Sequence, residues 1–489
     1  HKNPIDIAFE LYNRTKNRNY LEKAYELDQK NKASILSLND QLNQQVNPSN
    51  ELRKKEKLLK SEITRISLST VSSPDTTVID AAGSKIRELE IHLGKVQDQI
   101  AITNPSVGLS IPTISHLQSE LLDNRTMLLS YHLSDNKLTT FIVTTTDFKA
   151  QQQLMYPGFL TDLNNYIRQL HHSSDTIYSE VTVSRLYTFL LKEFIDKNHP
   201  RLIIIPDDEL SYLPFEALKE KNTYLVEDFS VLYQYSTVLL KKELTDFKKA
   251  STVSFAPFAN KDFVENSLQW DQLNYSEGEL KNLPGKSFIG ETATKKNFLN
   301  NIRGKDIIHL ATHAMASDSL GELSYIVFAP WNEKIKADYL LYSTEIYNLS
   351  LEDNKLIILS ACETGYGNLV RGEGLMSLNR AFSYAGCPDI IGSLWKADDE
   401  ATAYISAKIH TYLNDGLTID LAVQKAKKDY LSNNSINPRR KYPAYWANLV
   451  FVGNYRPLTG FSNWFWVIVI LLIISFILIA FSKIRSAKV

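Results

Sequence analysis

The sequence predicts an α/β protein: a mainly parallel sheet flanked by helices, preceded by an α-helical region and followed by one transmembrane helix. Three observations carry this expectation. Short apolar runs such as "RLIIIPDDEL", "KDIIHLATH", "KLIILSA" and "PDIIGSLW" alternate with helix-like segments through the middle of the chain, the pattern of strands covered on both faces. The first hundred or so residues keep apolar positions at helical spacing. The run "WFWVIVILLIISFILIAF", Trp464–Phe481, holds no charge.

The chain has 489 residues, 44% hydrophobic and 22% charged, a globular composition with length for two or three domains. A formal net charge of −1 argues against a wholesale polyanion binder, so no nucleic-acid partner is expected. The basic run "RKKEKLLK", Arg53–Lys60, includes Glu56 and two leucines and reads as a solvated helix face. Two cysteines exclude a disulfide framework and a thiolate zinc cluster, and neither metal nor cofactor is expected. The chain opens at His1 without methionine. It reads as a fragment or processed product whose signal peptide, if any, has been lost.

Residues 1–105 read as helices. Apolar residues fall at Ala8, Leu11 and Tyr12, then Leu21, Ala24 and Tyr25, then Ile35, Leu36 and Leu38. Helix pairs with Ala and Tyr at their seams resemble the end of a helical-repeat array. Such arrays bind peptides or proteins on a concave face, so a protein partner is expected there. Two longer amphipathic helices, "ELRKKEKLLKSEITRISL" and "AAGSKIRELEIHLGKVQDQI", follow around the loop "STVSSPDTT". "NPSVGLSIPT", Asn104–Thr113, is a linker by composition.

The second domain is expected over residues 115–455. "TMLLSYHL" and "LTTFIVTTT" alternate as in a hairpin, and the apolar strands come after them. Residues 463–481 form the expected transmembrane helix: its apolar run reaches ~27 Å at 1.5 Å per residue, with Phe461, Trp464 and Trp466 at one interface. Residues 482–489 are a basic tail with Lys483, Arg485 and Lys488. The positive-inside rule places that tail in the cytoplasm and the body outside it, a single-pass membrane protein. Arg439, Arg440, Lys441 and Arg456 before the span blunt the asymmetry and keep the reverse topology open.

Functional groups in a parallel sheet gather beyond the carboxyl ends of its strands. "DIIHLATHAMA" places His313 just past one strand, and "LIILSACETG" places Cys362 just past another. If those strands are neighbours, thiol and imidazole meet across the edge, and the imidazole activates the thiol as a nucleophile. Backbone amides of Ala314 and Cys362 are candidates for an oxyanion hole. Gly365 and Gly367 give the loop after the cysteine its conformational freedom. His309, inside its strand, reads as structural, and Cys387 in "AFSYAGCPDIIGSLW" reads as packing. In an exported body, a Cys362–Cys387 disulfide is a further reading. Asp398 and Asp399 lie past another strand end. They read either as a helix N-cap or, with Trp395 as the apolar side, as the wall of a substrate pocket that takes a basic residue.

Several segments, in order, resemble the CHAT domain family, caspase-like cysteine peptidases of clan CD often attached to tetratricopeptide-like helical repeats. They are "LIIIPDDELSYLPFEAL" (Leu202–Leu218), "YLVEDFSVLYQYST", "IIHLATHA" and "LSACETGYGNLVRGEGLMSLNRAFSYAGCPDIIGSLWKADDEAT". The resemblance runs from about Leu117 to Tyr455. It implies a caspase-like fold, Cys362 as nucleophile, His313 as its acid/base partner, and Glu373 as a residue that orders the loop after Cys362. The family usually has Gly after the histidine, whereas this chain has Ala314. The implied function is a membrane-anchored endopeptidase acting on a protein or peptide substrate and regulated by its helical N-terminus. The alternative is an inactive caspase-like scaffold or protein-interaction module at the membrane.

Overall fold

The computed structural model describes residues 3–32, scattered positions from 36 to 66, residues 85–96 and 99, and then 110–171, 180–242, 247–259, 270–281, 283–316, 323–330, 336–361, 367–370, 374–396 and 398–455. Two helices open the chain, α1 (Asn3–Thr15) and α2 (Arg18–Asn31). Lys16, at φ 57°, turns the chain between them, and the Asn17 side chain caps α2 by accepting from the Asn19 amide. Each helix buries one apolar stripe: Ile5, Ala8 and Phe9 on α1, Leu21, Ala24 and Tyr25 on α2.

The strands follow in chain order. The first half holds β1 (Thr126–Ser134), β2 (Lys137–Val143), β3 (Phe148–Leu154), β4 (Arg201–Ile205), the short hairpin β5 (Lys219–Glu220) and β6 (Thr223–Tyr224), and β7 (Ser230–Tyr233). The second half begins with β8 (Thr252–Ala256), β9 (Lys286–Ile289) and β10 (Ile307–Leu310). A small antiparallel sheet comes next, β11 (Ala314–Met315), β12 (Tyr325–Val327) and β13 (Leu340–Tyr342). Then come β14 (Leu356–Leu359), the hairpin β15 (Gly367–Val370) and β16 (Gly374–Ser377), β17 (Asp389–Ser393) and β18 (Leu449–Val452).

Eleven of these strands form one sheet in the order β3-β2-β1-β4-β7-β18-β17-β14-β10-β8-β9. The sheet is mixed. β1, β4, β7 and β18 are parallel neighbours, and so are β17, β14, β10, β8 and β9. The two runs meet antiparallel at β17 and β18. The carboxyl ends of the first run therefore lie on the opposite edge from those of the second.

Isoleucine and leucine runs suit strands buried on both faces. In β10 and β14 alternate residues serve different cores: Ile307, Leu356 and Ile358 face one, Ile308, Leu310, Ile357 and Leu359 the other. The helices α1 and α2 share the first of these cores with the sheet. Tyr25 stands edge-on to Phe141 and Phe148, each 6.0 Å between ring centroids.

One expectation is corrected. Among the described residues no helix is long and apolar enough to cross a membrane. The helix Asp399–Asn414, with 16 residues, falls short of the ~20 a span needs, and it carries Asp399, Glu400 and Lys408. The C-terminal transmembrane helix is therefore withdrawn, and with it the single-pass placement and the membrane as a partner. The residues that prompted it, 464–481, lie outside the described residues.

Candidate active site

β10 and β14 are adjacent and parallel, with Leu310 opposite Leu359. His313 stands three residues past Leu310, and Cys362 three past Leu359. Cys362 itself, with Gly365 and Glu373, lies outside the described residues. Its lead-in is described. The Ser360 hydroxyl donates to Oε1 of Glu279 at 2.5 Å, and the Ala361 carbonyl accepts from the Ser393 hydroxyl on β17.

His313 is half-buried in an aromatic niche. Trp270 stacks on its ring at 5.4 Å between centroids, and Phe258 meets it edge-on at 4.8 Å. Its Nε2 lies 2.7 Å from the carbonyl oxygen of Asp271. A carbonyl only accepts, so Nε2 carries the proton, and in the neutral ring Nδ1 keeps the free lone pair. Burial lowers the imidazole below its ordinary pKa; the Asp271 carbonyl and side chain oppose this, and Lys396 adds to it. The ring is thus poised as a neutral base near pH 7 with a defined basic nitrogen. The next residue, Ala314, opens β11 opposite Ile326 and is buried.

The carboxylates and the tryptophan expected at a substrate pocket are placed as follows. Asp398 caps the helix Asp399–Asn414, its Oδ1 accepting from the Ala401 amide at 3.0 Å. Arg440 grips both oxygens of Asp398, at 2.7 and 2.6 Å, and also binds Glu400. Trp395 is buried, 1% exposed, and its indole N–H donates to the Ala444 carbonyl at 2.9 Å. Asp399 is held by another segment: its Oδ2 accepts from the Tyr275 amide at 2.9 Å, four residues beyond Asp271. Burial pushes its carboxyl above the usual range.

Cys387 is a free, buried thiol, and burial pushes its pKa far up. Gly386 makes its turn possible. At φ +108°, a Cβ there would stand 2.8 Å from Cγ of Glu352. His309 is fully buried in β10, with Nδ1 2.9 Å from Nε2 of His410 and Nε2 2.8 Å from Oε1 of Glu279. Among the described residues no group of three or more His, Cys, Asp or Glu side chains could hold a metal ion.

Sequence reasoning missed Asp271, Trp270 and Glu279. Asp271 acts through a main-chain oxygen, which any residue supplies, and no motif marks the other two.

A family model described as the CHAT domain matches residues 180–454, more than half of the chain. The chain is similar to tetratricopeptide repeat protein 28 of Mus musculus, 23% identical, covering 52% of this chain and 12% of that protein. The Homo sapiens protein of the same name is 22% identical with the same coverage. The chain thus spans about an eighth of the length of these curated relatives. Among solved structures it is similar to the Saccharomyces cerevisiae separase–securin complex, with TM-score 0.47 and 9% identity, covering 71% of this chain and 31% of that one. It is also similar to the Arg-specific cysteine proteinase gingipain R, with TM-score 0.36 and 9% identity, covering 60% of this chain and 74% of that one.

Proposed function

Because the chain belongs to the CHAT domain family, we propose that it is a caspase-like cysteine peptidase in which Cys362 and His313 are the reacting pair. The observation that supports this most is the pairing of β10 with β14, which sends two segments past one edge at equal offset. In the reaction, the Cys362 sulfur attacks the scissile carbonyl. Its proton passes to Nδ1 of His313, whose Nε2–H stays on the Asp271 carbonyl. Main-chain amides, with those of Ala314 and Cys362 as candidates, hold the oxyanion. The imidazolium then protonates the leaving amine, and water releases the acyl group. Asp399, bonded to the Tyr275 amide four residues beyond Asp271, is the pocket carboxylate of this reading, and it would receive a basic substrate residue. The helices α1 and α2 stand as the end of a helical-repeat region, in line with the repeat-protein relatives, where a protein partner governs access to the site.

The test is the rate at which iodoacetamide modifies Cys362 at pH 7, followed by mass spectrometry. The buried Cys387, with its raised pKa, supplies almost no competing thiolate. A free thiol near pKa 8.5 is a few per cent thiolate at pH 7, and one brought to about 7 is half ionised. Allowing for its lower intrinsic nucleophilicity, the activated thiol reacts about four-fold faster. His313→Ala should lose that factor. Equal rates in parent and variant would leave the inactive scaffold as the reading.

A further inference from the structure

Beneath the rim lies a buried polar knot that the reaction above does not use. Oε1 of Glu279, on the short helix Ser276–Leu280, accepts from Ser360 at 2.5 Å and from Ser406, and lies 2.8 Å from His309 Nε2. The donors come from three elements: the end of β14, the helix Asp399–Asn414, and β10. Glu279, His309, Ser360 and Ser406 are all buried, at 5%, 0%, 8% and 0% exposure. His309 reaches on to His410 through its other nitrogen, at 2.9 Å. Burial, with His309 beside it, holds His410 far below its ordinary pKa.

A buried polar network is a poor source of stability, since its desolvation cost consumes most of the attraction; fixing one arrangement among several is its better-attested use. What this one fixes is specific. Ser360 is two residues before Cys362, and the next carbonyl, that of Ala361, is tied to Ser393. Glu279 is eight residues after Asp271, whose carbonyl holds His313. Between them, the Tyr275 amide is anchored on Asp399.

We propose that Glu279 is a positioning residue for the Cys362–His313 pair, its carboxylate binding together the strand end that leads to the sulfur and the segment that orients the imidazole. The proposal rests on the peptidase reading. The titratable groups facing Glu279 are His309 on β10, and His410 and Asp399 on the helix behind. Loss of the carboxylate leaves Ser360 its 3.1 Å contact with His309 Nε2 but cuts its tie to the helix Ser276–Leu280; the 270–280 segment can then shift, so sulfur and imidazole part without either being removed.

The experiment compares parent, Glu279→Gln, Glu279→Asp, Ser360→Ala and His313→Ala by iodoacetamide labelling of Cys362 from pH 5.5 to 9, with melting temperatures alongside. Glu279→Gln should label several-fold more slowly at pH 7, with the midpoint of its pH profile moved toward the ~8.5 of an ordinary thiol. Glu279→Asp, which keeps the charge, should recover part of the rate. Ser360→Ala removes one hydroxyl and no charge, so it carries the test should Glu279→Gln not fold; it should shift the profile the same way. If Glu279→Gln and Ser360→Ala match the parent while His313→Ala is slow, the knot is structural only and this proposal is overturned. If His313→Ala also matches the parent, the peptidase reading itself has failed.

Discussion

His132 offers a quantitative test of how the N-terminal helices are held. Its ring is 1% exposed, and Nδ1 lies 3.5 Å from Oδ1 of Asp28 on α2 and 3.5 Å from Oδ2 of Asp207 beyond β4. Burial alone would lower its pKa, but the Asp207 and Asp28 carboxylates outweigh burial and raise it from 6.5 to about 9. At about 1.4 kcal/mol per unit, that shift corresponds to about 3 kcal/mol of folding stability. Nε2 of the ring meets no hydrogen-bonding group among the described residues, a cost that trims the figure. A raised pKa stabilises fully below the unfolded value, near 6.5, and the gain disappears as pH climbs through about 9. Chemical denaturation of parent and His132→Gln at pH 6 and pH 10 isolates it. Lost packing weighs equally at both pH values, and unrelated titrations cancel in the difference. The parent's advantage should shrink by about 3 kcal/mol on going to pH 10; an advantage that stays constant or grows refutes the reasoning.

Two further perturbations follow from other buried groups. Arg201 is fully buried and donates to Asp420 through Nε at 2.8 Å and Nη2 at 3.2 Å, with Ser230 on the same carboxylate at 2.9 Å. Arg201→Met strands that charge and should cost about 3–5 kcal/mol in denaturant unfolding, and adding Asp420→Asn should recover most of the loss. Burial tends to raise the Asp420 carboxyl, but Arg201 holds it below its usual value; its contribution is therefore present near neutrality and fades as pH falls below about 4. Asp398→Ala removes the cap of the helix Asp399–Asn414 and a partner of Arg440, and should lower stability by about 1–2 kcal/mol, read as a drop in melting temperature.

The strands were legible because their residues announce themselves: "IIHL" and "LIIL" have few uses outside a doubly covered sheet. That β10 lies beside β14 was not legible from periodicity, which says nothing of pairing order. The reversal of direction at β17 and β18 left no local mark either. Long-range polar contacts were hidden for a related reason. Asp28, Gln29 and Lys32 look like the wet face of α2, yet all three are buried. Lys32 bonds Asp28, Ser130 and the Tyr131 carbonyl, and Gln29 accepts from Thr237. Asp28 is a local partner, but Ser130, Tyr131 and Thr237 are about a hundred residues or more away, beyond any window of pattern reading. Trp395 shows the parity problem past a strand end: one step of the chain decides between core and rim, and its side chain faces the core.

The sheet's change of direction has a mechanical corollary. Helix α2 crosses the margin where β1, β4 and β7 finish, while His313 stands at the margin where β10 and β14 finish. Those margins are a strand's length apart, ~13 Å for four residues. The hydrogen-bonded route from one margin to the other runs through the sheet, across the antiparallel seam of β18 and β17.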